Sequence, residues 1–461
     1  MTKQADKNQC FNKTKSIMKK IFWLFLIFSL STLATHADTL TVQPDGTGLW
    51  PTIQDAIDNS TDGDVVLLAD GIYRGIGNRD INTLGKAIIV TSESSMAENC
   101  VIDCEGTFNV VERRGFIMSN GEDSTTKIKD ITIAYGSTLM ACPGCAGAAV
   151  FIEYAAPLFE NVIFRHNRGG HSVFHAFFAD NLILRNCKFY FNTAEFNPCI
   201  EVVGNNVLIK KCLFYHNTTA MYNGAIISFD KNTKVVGCTI TNNYLNDTWY
   251  SSVFTYSHPW GSTPPEGGAI VENTLITNNY TLNVFHHYDS CFPMPLFNHC
   301  NHWNNNGNDW TGIISNQFGH EGNLSEDPLY VDTTNMDYHI QYGSPCIDAG
   351  NPNSPYDPDE TIADIGYYYY DQLTSTAECR ADEIKLYPNP SSGIIHFSNF
   401  PFHNHEFFNI LIINNSGETV QQLKNVDIRH PIDLSCLPTG FYHCYLNSKS
   451  HDYLQKLIII K

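Results

Sequence analysis

The stretch "KKCLFYHN" (residues 210–217) repeats, almost letter for letter, the stretch "RNCKFYFN" 25 residues upstream (185–192), with Cys, Phe and Asn at matching places. The same pattern of small or apolar, any, Phe or Ile, any, any, Asn continues in both directions. "VIFRHN" ends at Asn167, "CTITNN" at Asn243, "TLITNN" at Asn279 and "CNHWNN" at Asn305, so the steps are 25, 25, 26, 36 and 26 residues. A worn copy, "ITIAYG", ends at Gly136, 31 residues before the first of these. A fixed period of this length is the signature of a repeat architecture, and the two longer steps read as coils of constant girth that carry insertions.

The residues inside each period decide which repeat it is. "NVIF", "LILRNC", "VLIKKC", "TKVVGC" and "AIVENT" are short, β-branched or aromatic, and bounded by Asn, Gly or Asp. None has the 3.6-residue period of a helix, so a coil of short strands is predicted. Parallel stacking of such coils sets each strand about 4.8 Å from its copy in the next turn, and equivalent residues then form columns. One column is Cys187, Cys212, Cys238 and Cys300, with Val162 and Thr274 on the remaining rungs. Another is Asn167, Asn192, Asn217, Asn243, Asn279 and Asn305. A single inward amide would cost a few kcal/mol. A stacked series can pass hydrogen bonds from rung to rung, as amide ladders do in cross-β stacks. The Asn column is therefore read as structural, and the Cys column as small buried hydrophobes.

With these columns the chain resembles the right-handed parallel β-helix of the pectin-lyase-like fold. "PDGTGLWPTIQDAIDNSTDGDVVLLADGIYRG" (44–75) is similar to the N-terminal cap of that family, with Ile53, Ala56 and Ile57 on one face of a short helix. "LSEDPLYVD" (324–332) and "SPCIDAGNPNSPYDPDETIADIG" (344–366) resemble the closing segment of secreted bacterial β-helix proteins. The resemblance covers residues 40 to about 370. It implies fold more strongly than chemistry, because one fold hosts many functions.

The two ends of the chain address it. Six lysines and one aspartate precede residue 21. "IFWLFLIFSL" (21–30) is too short to span a bilayer, and "THA" ends at Ala37, the pattern of a secretory signal peptide over 1–37. Its removal moves the formal charge from −19 to −24, since six positive charges and one negative one leave. So acidic a chain is expected to bind neither nucleic acid nor anionic lipid, and no segment of the mature chain reads as a transmembrane helix. From about residue 383 the texture changes to short alternating strands with regular turns, an immunoglobulin-like β-sandwich after a linker over 371–382. "YPNPSSG", "NNSGETV", "LPTGFYHC" and "KLIIIK" follow in the order seen in the C-terminal sorting domain of the type IX secretion system. That resemblance implies export across an outer membrane, to the bacterial cell surface or the medium, with the secretion machinery as a partner.

The fold class read from the sequence is thus all-β: a β-helix over 38–370 followed by a small sandwich over 383–461. "CPGC" (142–145) falls on an inserted loop, and Cys436 and Cys444 are placed to pair across strands. No cofactor is indicated. The acids of "DPDETIAD", Asp357, Asp359, Glu360 and Asp364, are the one place where calcium is conceivable, but they lack the 12-residue loop pattern and fit a structural cap.

Two sets of residues carry candidate chemistry. The strands "AVFIEY", "SVFHAF", "CIEVV", "AIISFD", "SVFTYS" and "NVFHHY" align to give a mainly polar column of Ile152, His175, Glu201, Ser228, Thr255 and His286. His175 and Glu201, one rung apart, are the candidate catalytic pair, and a solvated sheet face is the alternative. The insertion 245–268 and the coil after it bring Trp249, Tyr250, Tyr256, Trp260, His286 and Tyr288, flat rings suited either to sugars or to packing on the coil. The coils contain no Asp-Asp pair, and acids are sparse between 140 and 320, so the polygalacturonase and pectate-lyase patterns are not met. The first reading is a surface protein that binds extracellular polysaccharide or surface glycans as an adhesin does. The alternative is a polysaccharide lyase or glycoside hydrolase acting on an acidic polysaccharide.

Overall fold

The structure is a computed structural model. It describes residues 37–461 apart from 140–145, 196–198, 220–224, 230–231, 246–250, 257–267, 287–293, 307–308, 373–384, 399–406, 415–417 and 448–451. Two compact units emerge, one ending at Tyr370 and one beginning at Asp371.

The first unit is a solenoid of parallel strands. Among the described residues, a first sheet of ten strands runs from Thr39–Val42 to Leu296–Asn298, and a second of nine runs from Gly71–Tyr73 to Asn301–Trp303. Four two-residue strands, Arg168–Gly169 to Tyr244–Leu245, lead from the second sheet toward a third sheet of seven, Phe116–Met118 to Asn283–His286. Every pairing in these sheets is parallel and joins one coil to the next, as in Phe164↔Phe189↔Phe214↔Ile240↔Ile276. Thr52 caps the helix α1 (Ile53–Asn59), accepting from the Asp55 N–H at 3.1 Å, and Ile53, Ala56 and Ile57 are buried over the first coil.

The Asn column is internal and continuous. Each amide nitrogen donates to the carbonyl oxygen of the next Asn: Asn167 to Asn192 at 3.1 Å, Asn192 to Asn217 at 3.0 Å, Asn217 to Asn243 at 3.0 Å, Asn243 to Asn279 and Asn279 to Asn305 at 2.9 Å. Its second hydrogen goes to a main-chain carbonyl of the preceding coil, for Asn217 that of Phe189 at 2.8 Å. Each side-chain oxygen also accepts the backbone N–H of the Asn before it. Gly136 N–H closes the upper end on Asn167, and Asp309 accepts from Asn305 at the lower end. The residue before each Asn is left-handed, φ 52–57° from His166 to Asn304, and this turns the amide inward. Cys187, Cys212, Cys238 and Cys300 are fully buried free thiols, and burial holds the Cys212 thiol well above its ordinary range. Cys436 and Cys444 are both free, so the pairing conceived from sequence does not form; Cys436 donates to Gln421 Oε1 instead. "CPGC" lies outside the described residues.

The closing segment returns along the outside of the second sheet. Tyr338 packs with Leu213 and Tyr215, Ile340, Cys346 and Ile365 cluster with Leu275, and Lys211 Nζ donates to the Gly366 carbonyl at 2.9 Å. Its carboxylates are occupied by backbone N–H groups: Asp357 accepts from Asp364 at 2.6 Å, and Asp364 from Asp348 and Tyr370 at 2.7 Å each. No group of three metal-ligating side chains is arranged to hold an ion among the described residues.

The second unit is a sandwich of two antiparallel sheets, Lys385–Tyr387, Ile394–Ser398 and Ile432–Asp433 against Phe408–Asn414, Thr419–Val426, Gly440–Asn447 and Asp452–Ile459. Ile395, Phe397, Phe408, Ile410, Leu446 and Leu457 lie in its core.

Two outcomes test this account. Asn217→Leu strips four hydrogen bonds from three neighbouring residues and should cost about 4 kcal/mol in denaturant unfolding. An unchanged unfolding midpoint would refute the ladder. At the end of the solenoid, burial pushes the His302 imidazole down to about 3, whereas in the unfolded chain it takes up a proton near 6.5. The stability that depends on neutral His302 is thus complete above about pH 6.5 and is lost as pH falls toward 3. His302→Phe should flatten this acid limb by up to about 1.4 kcal/mol per pH unit.

Candidate functional site

With the second sheet covered, functional side chains are sought on the first and third. Strand alternation on the third sheet sends Val150, Phe174, Ile200 and Phe254 inward and presents Phe151, His175, Glu201, Ser228, Thr255 and His286 outward in one register. The sequence alignment of the column holds from His175 onward and slips at its first rung. His175 stands opposite Phe151, whereas Ile152 is opposite Ala176 and points into the core. The rung from Phe151 to His175 is 24 residues, against 26 from His175 to Glu201, so matching the strands by their apolar letters displaces the first one by a residue. A one-residue slip reverses the face of every side chain on a strand.

The expected contact between the catalytic candidates is present: His175 Nδ1 lies 3.1 Å from Glu201 Oε2. The column is not an open solvated face at this point, because His175 is 8 % exposed and Glu201 7 %. The pair sits among rings. His175 stacks on Phe151 at 5.2 Å between centroids and on Phe177 at 4.2 Å. Phe177 meets Phe178 edge-on at 6.3 Å, and Phe178 stacks on Tyr154 at 4.7 Å. The Arg114 guanidinium lies 5.7 Å over Phe151, within cation–π range. Further along, the Ser228 and Thr255 hydroxyls are buried and have no hydrogen-bond partner among the described residues. The arrangement holds an oriented imidazole, a carboxylate and two hydroxyls beneath the surface, beside a run of exposed rings.

The other sequence candidates divide. Tyr256 is 4 % exposed: it lies on the inward side of its strand, accepts the Ala269 N–H at 3.2 Å and packs edge-on against Phe285. It belongs to the core, so the loop ring cluster loses this member. His286 is half-buried at the end of the polar column, opposite Thr255. Trp249, Tyr250, Trp260 and Tyr288 lie outside the described residues. The rings that do surround His175, namely Phe151, Tyr154, Phe177 and Phe178, were missed in the sequence. The signal was present in "VFIEY" and "FHAFF", which share the order ring, any, acid or ring, ring once the register is corrected by one residue.

A shallow cavity of about 480 Å³ adjoins the turn from the third sheet to the first, lined by Asn181, Asn205, Asn206, Asn232 and Lys234 among others. Asn206 donates to Asn181 and Asn232 to Asn205, each at 2.8 Å, which makes a second, exposed amide series.

In the sandwich, "YPNPSSG" is tied to the terminal strand. Asn389 Nδ2 donates to the Lys456 carbonyl at 2.7 Å, and its oxygen accepts the Ile458 N–H at 2.9 Å. Ser391 N–H donates to the Ile458 carbonyl at 2.8 Å, and Ile460 N–H returns to Ser391 at 2.9 Å. The first and last motifs of the domain are thus one hydrogen-bonded structure.

Comparison with known proteins agrees with both units. The family described as a right handed beta helix region matches residues 148–319, and the secretion system C-terminal sorting domain matches residues 385–461. No curated protein sequence matches the chain. Among solved structures, it is similar to a pectin methylesterase from carrot (13% identity, 64% of this chain and 90% of that one, TM-score 0.34). It is also similar to the pectate lyase Pel9A (15%, 73% and 97%, TM-score 0.31) and to an alginate lyase from Paenibacillus sp. (11%, 63% and 98%, TM-score 0.32). The chain is a right-handed parallel β-helix repeat protein with a C-terminal sorting domain of the type IX secretion system. The sorting domain addresses it to the cell surface or the medium. No helix among the described residues is long and apolar enough to cross a membrane.

Deleting residues 383–461 should therefore leave a folded β-helix that fails to reach the surface, read by surface labelling of intact cells. Asn389→Ala, which removes the two side-chain bonds from "YPNPSSG" to the terminal strand, should lower surface display in the full chain; normal display would mean that these bonds have no part in sorting.

Proposed function

We propose that the mature protein binds an extended extracellular glycan along the outer face of the third sheet, in the manner of an adhesin. The observation that carries this reading is the stacked pair of exposed rings, Tyr154 and Phe178, beside an outward column whose end members Phe151 and His286 are half-buried and whose inner polar members are buried. The half-buried ends of the column, Phe151 and His286, lie five rungs apart, about 24 Å at the spacing of parallel strands, a length that suits a chain-like ligand lying parallel to the solenoid axis. Rings that take the apolar face of a sugar, beside groups that bond its hydroxyls, are the usual make-up of a carbohydrate surface. Loops on a rigid scaffold commonly add to such surfaces, and the longest insertions of this chain adjoin the same strands in sequence.

One observation favours a second reading, a polysaccharide-degrading enzyme: a carboxylate that orients an imidazole is the arrangement of a general base. Hydrolysis of a glycosidic bond further needs two carboxylates about 5–9.5 Å apart. The other outward acid nearby, Glu153, is two rungs and two residues away from Glu201, which puts their backbones about 12 Å apart at ordinary strand spacing and rise. Binding is therefore the better reading.

The test is to incubate the mature protein with a panel of neutral and acidic polysaccharides. Retention on immobilised glycan should be measured together with reducing ends and the ultraviolet absorbance of unsaturated products. Retention without product is the expected result. The double substitution His175→Phe and Glu201→Leu should leave the melting temperature unchanged or raised, because replacing a buried polar pair by packed apolar groups is often neutral or stabilising. Accumulating product that disappears in the double variant would make the protein an enzyme and this pair its centre.

A further inference from the structure

The charges on the coils are not spread evenly. The third-sheet strands Phe116–Met118, Val150–Glu153, Phe174–Phe177, Ile200–Val203, Ala225–Phe229, Ser252–Tyr256 and Asn283–His286 contain no lysine or arginine, and two carboxylates, Glu153 and Glu201. The first sheet, by contrast, carries Lys127, Lys129, Arg185, Lys210 and Lys234. Arg114, the guanidinium nearest the ring cluster, is 9 % exposed and already engaged, with Nε donating to the Ala146 carbonyl at 3.2 Å and a terminal nitrogen 3.7 Å from Glu112. In sequence, the stretches that adjoin these strands (220–224, 230–231, 246–250, 257–267 and 287–293) hold one lysine, Lys231, against Asp230, Asp247, Glu266 and Asp289. A polyuronate brings a carboxylate on every sugar. Laid along this face it would meet Glu153 and Glu201 without a cation to pair with, on a protein that is strongly acidic as a whole.

The exposed rings supply the complementary half of the argument. Tyr154 is 63 % exposed and Phe178 46 %, so neither contributes much burial to folding. They stack nearly parallel, at 8°. Both are held in the left-handed region, φ 55° and 53°, where bulky side chains are uncommon. Past Phe178 the next rung carries Gly204, whose missing side chain is required by the Ala179 backbone, since an added Cβ would lie 2.6 Å from its carbonyl oxygen. The far face of the Phe178 ring is therefore not matched by a side chain from that rung, and the ring adjoins Phe177 and, through it, His175.

We propose that the glycan bound by the third sheet is neutral, and that Tyr154 and Phe178 form a stacking subsite for one of its sugar rings. This rests on the glycan-binding reading and narrows it. An uncharged pyranose offers C–H groups to the ring pair and hydroxyls to the half-buried Glu153 beside Tyr154, and it asks for no counter-charge.

The experiment uses the full mature chain, with soluble xylan, mannan and mixed-linkage glucan as neutral probes and polygalacturonate and alginate as acidic ones. Each is measured by affinity electrophoresis at low and high salt. Retardation by at least one neutral glycan, insensitive to salt, is expected. Tyr154→Ala and Phe178→Ala should each weaken it about tenfold, by analogy with ring stacking on nucleic-acid bases. Phe178→Leu keeps an apolar side chain without a ring face and should lose the same affinity with the melting temperature unchanged, which separates a lost platform from a lost fold. Tighter binding of a polyuronate that fades with salt would overturn the neutral assignment and leave glycan binding standing. Neutral binding undisturbed by all three substitutions would overturn the subsite. Retardation by no glycan of either class would overturn the glycan-binding reading together with this one.

Discussion

The solenoid depends on the hydrogen bonds that pass from one asparagine to the next. A strand of three residues has too little pairing to hold a register alone, and here most strands of the second sheet are of that length. The amides fix the register at a corner of each coil, because Nδ2 reaches both the next rung's side chain and the preceding coil's main chain. Every donor and acceptor of the amide is used, which removes the penalty of burying it. The same corner admits only a left-handed residue before the Asn, so the turn and the ladder enforce one another.

Once the rungs are fixed, the three sheets face different environments. The closing segment packs on the second sheet through Tyr338, Ile340 and Ile365. The first sheet carries five lysines and arginines, and the third carries none but has exposed rings beside the buried His175–Glu201 pair. A repeat scaffold thus acquires distinct faces without any change in its coil, since outward residues are free to vary while inward ones stack in identical columns. The buried imidazole–carboxylate pair departs from that economy. Replacing such a pair by packed apolar groups is often neutral or stabilising.

The sandwich is separately built. Its first and last motifs are joined through Asn389 and Ser391, and this explains why a proline-rich turn and a terminal strand occur together in the sorting domain. The sorting domain and the β-helix are separate units of the chain, each with its own core.

The sequence by itself determined the period, the Asn and Cys columns, the caps and the sorting domain. Each of these repeats or follows a motif whose chemistry is local: a turn, an amide or a strand of fixed length. It also brought His175 beside Glu201, because the two strands differ from the period by a single residue. Tertiary structure alone decided what those strands face. The replacement of Ile152 by Phe151 is seen only in the pairing of the strands, which sets Phe151 opposite His175 and turns Ile152 into the core. The burial of Tyr256 follows from strand alternation within the third sheet, and the ring cluster around His175 from side chains contributed by neighbouring coils. Periodicity specifies which residues stack, but the face they turn outward depends on a one-residue register that only the packed coils fix.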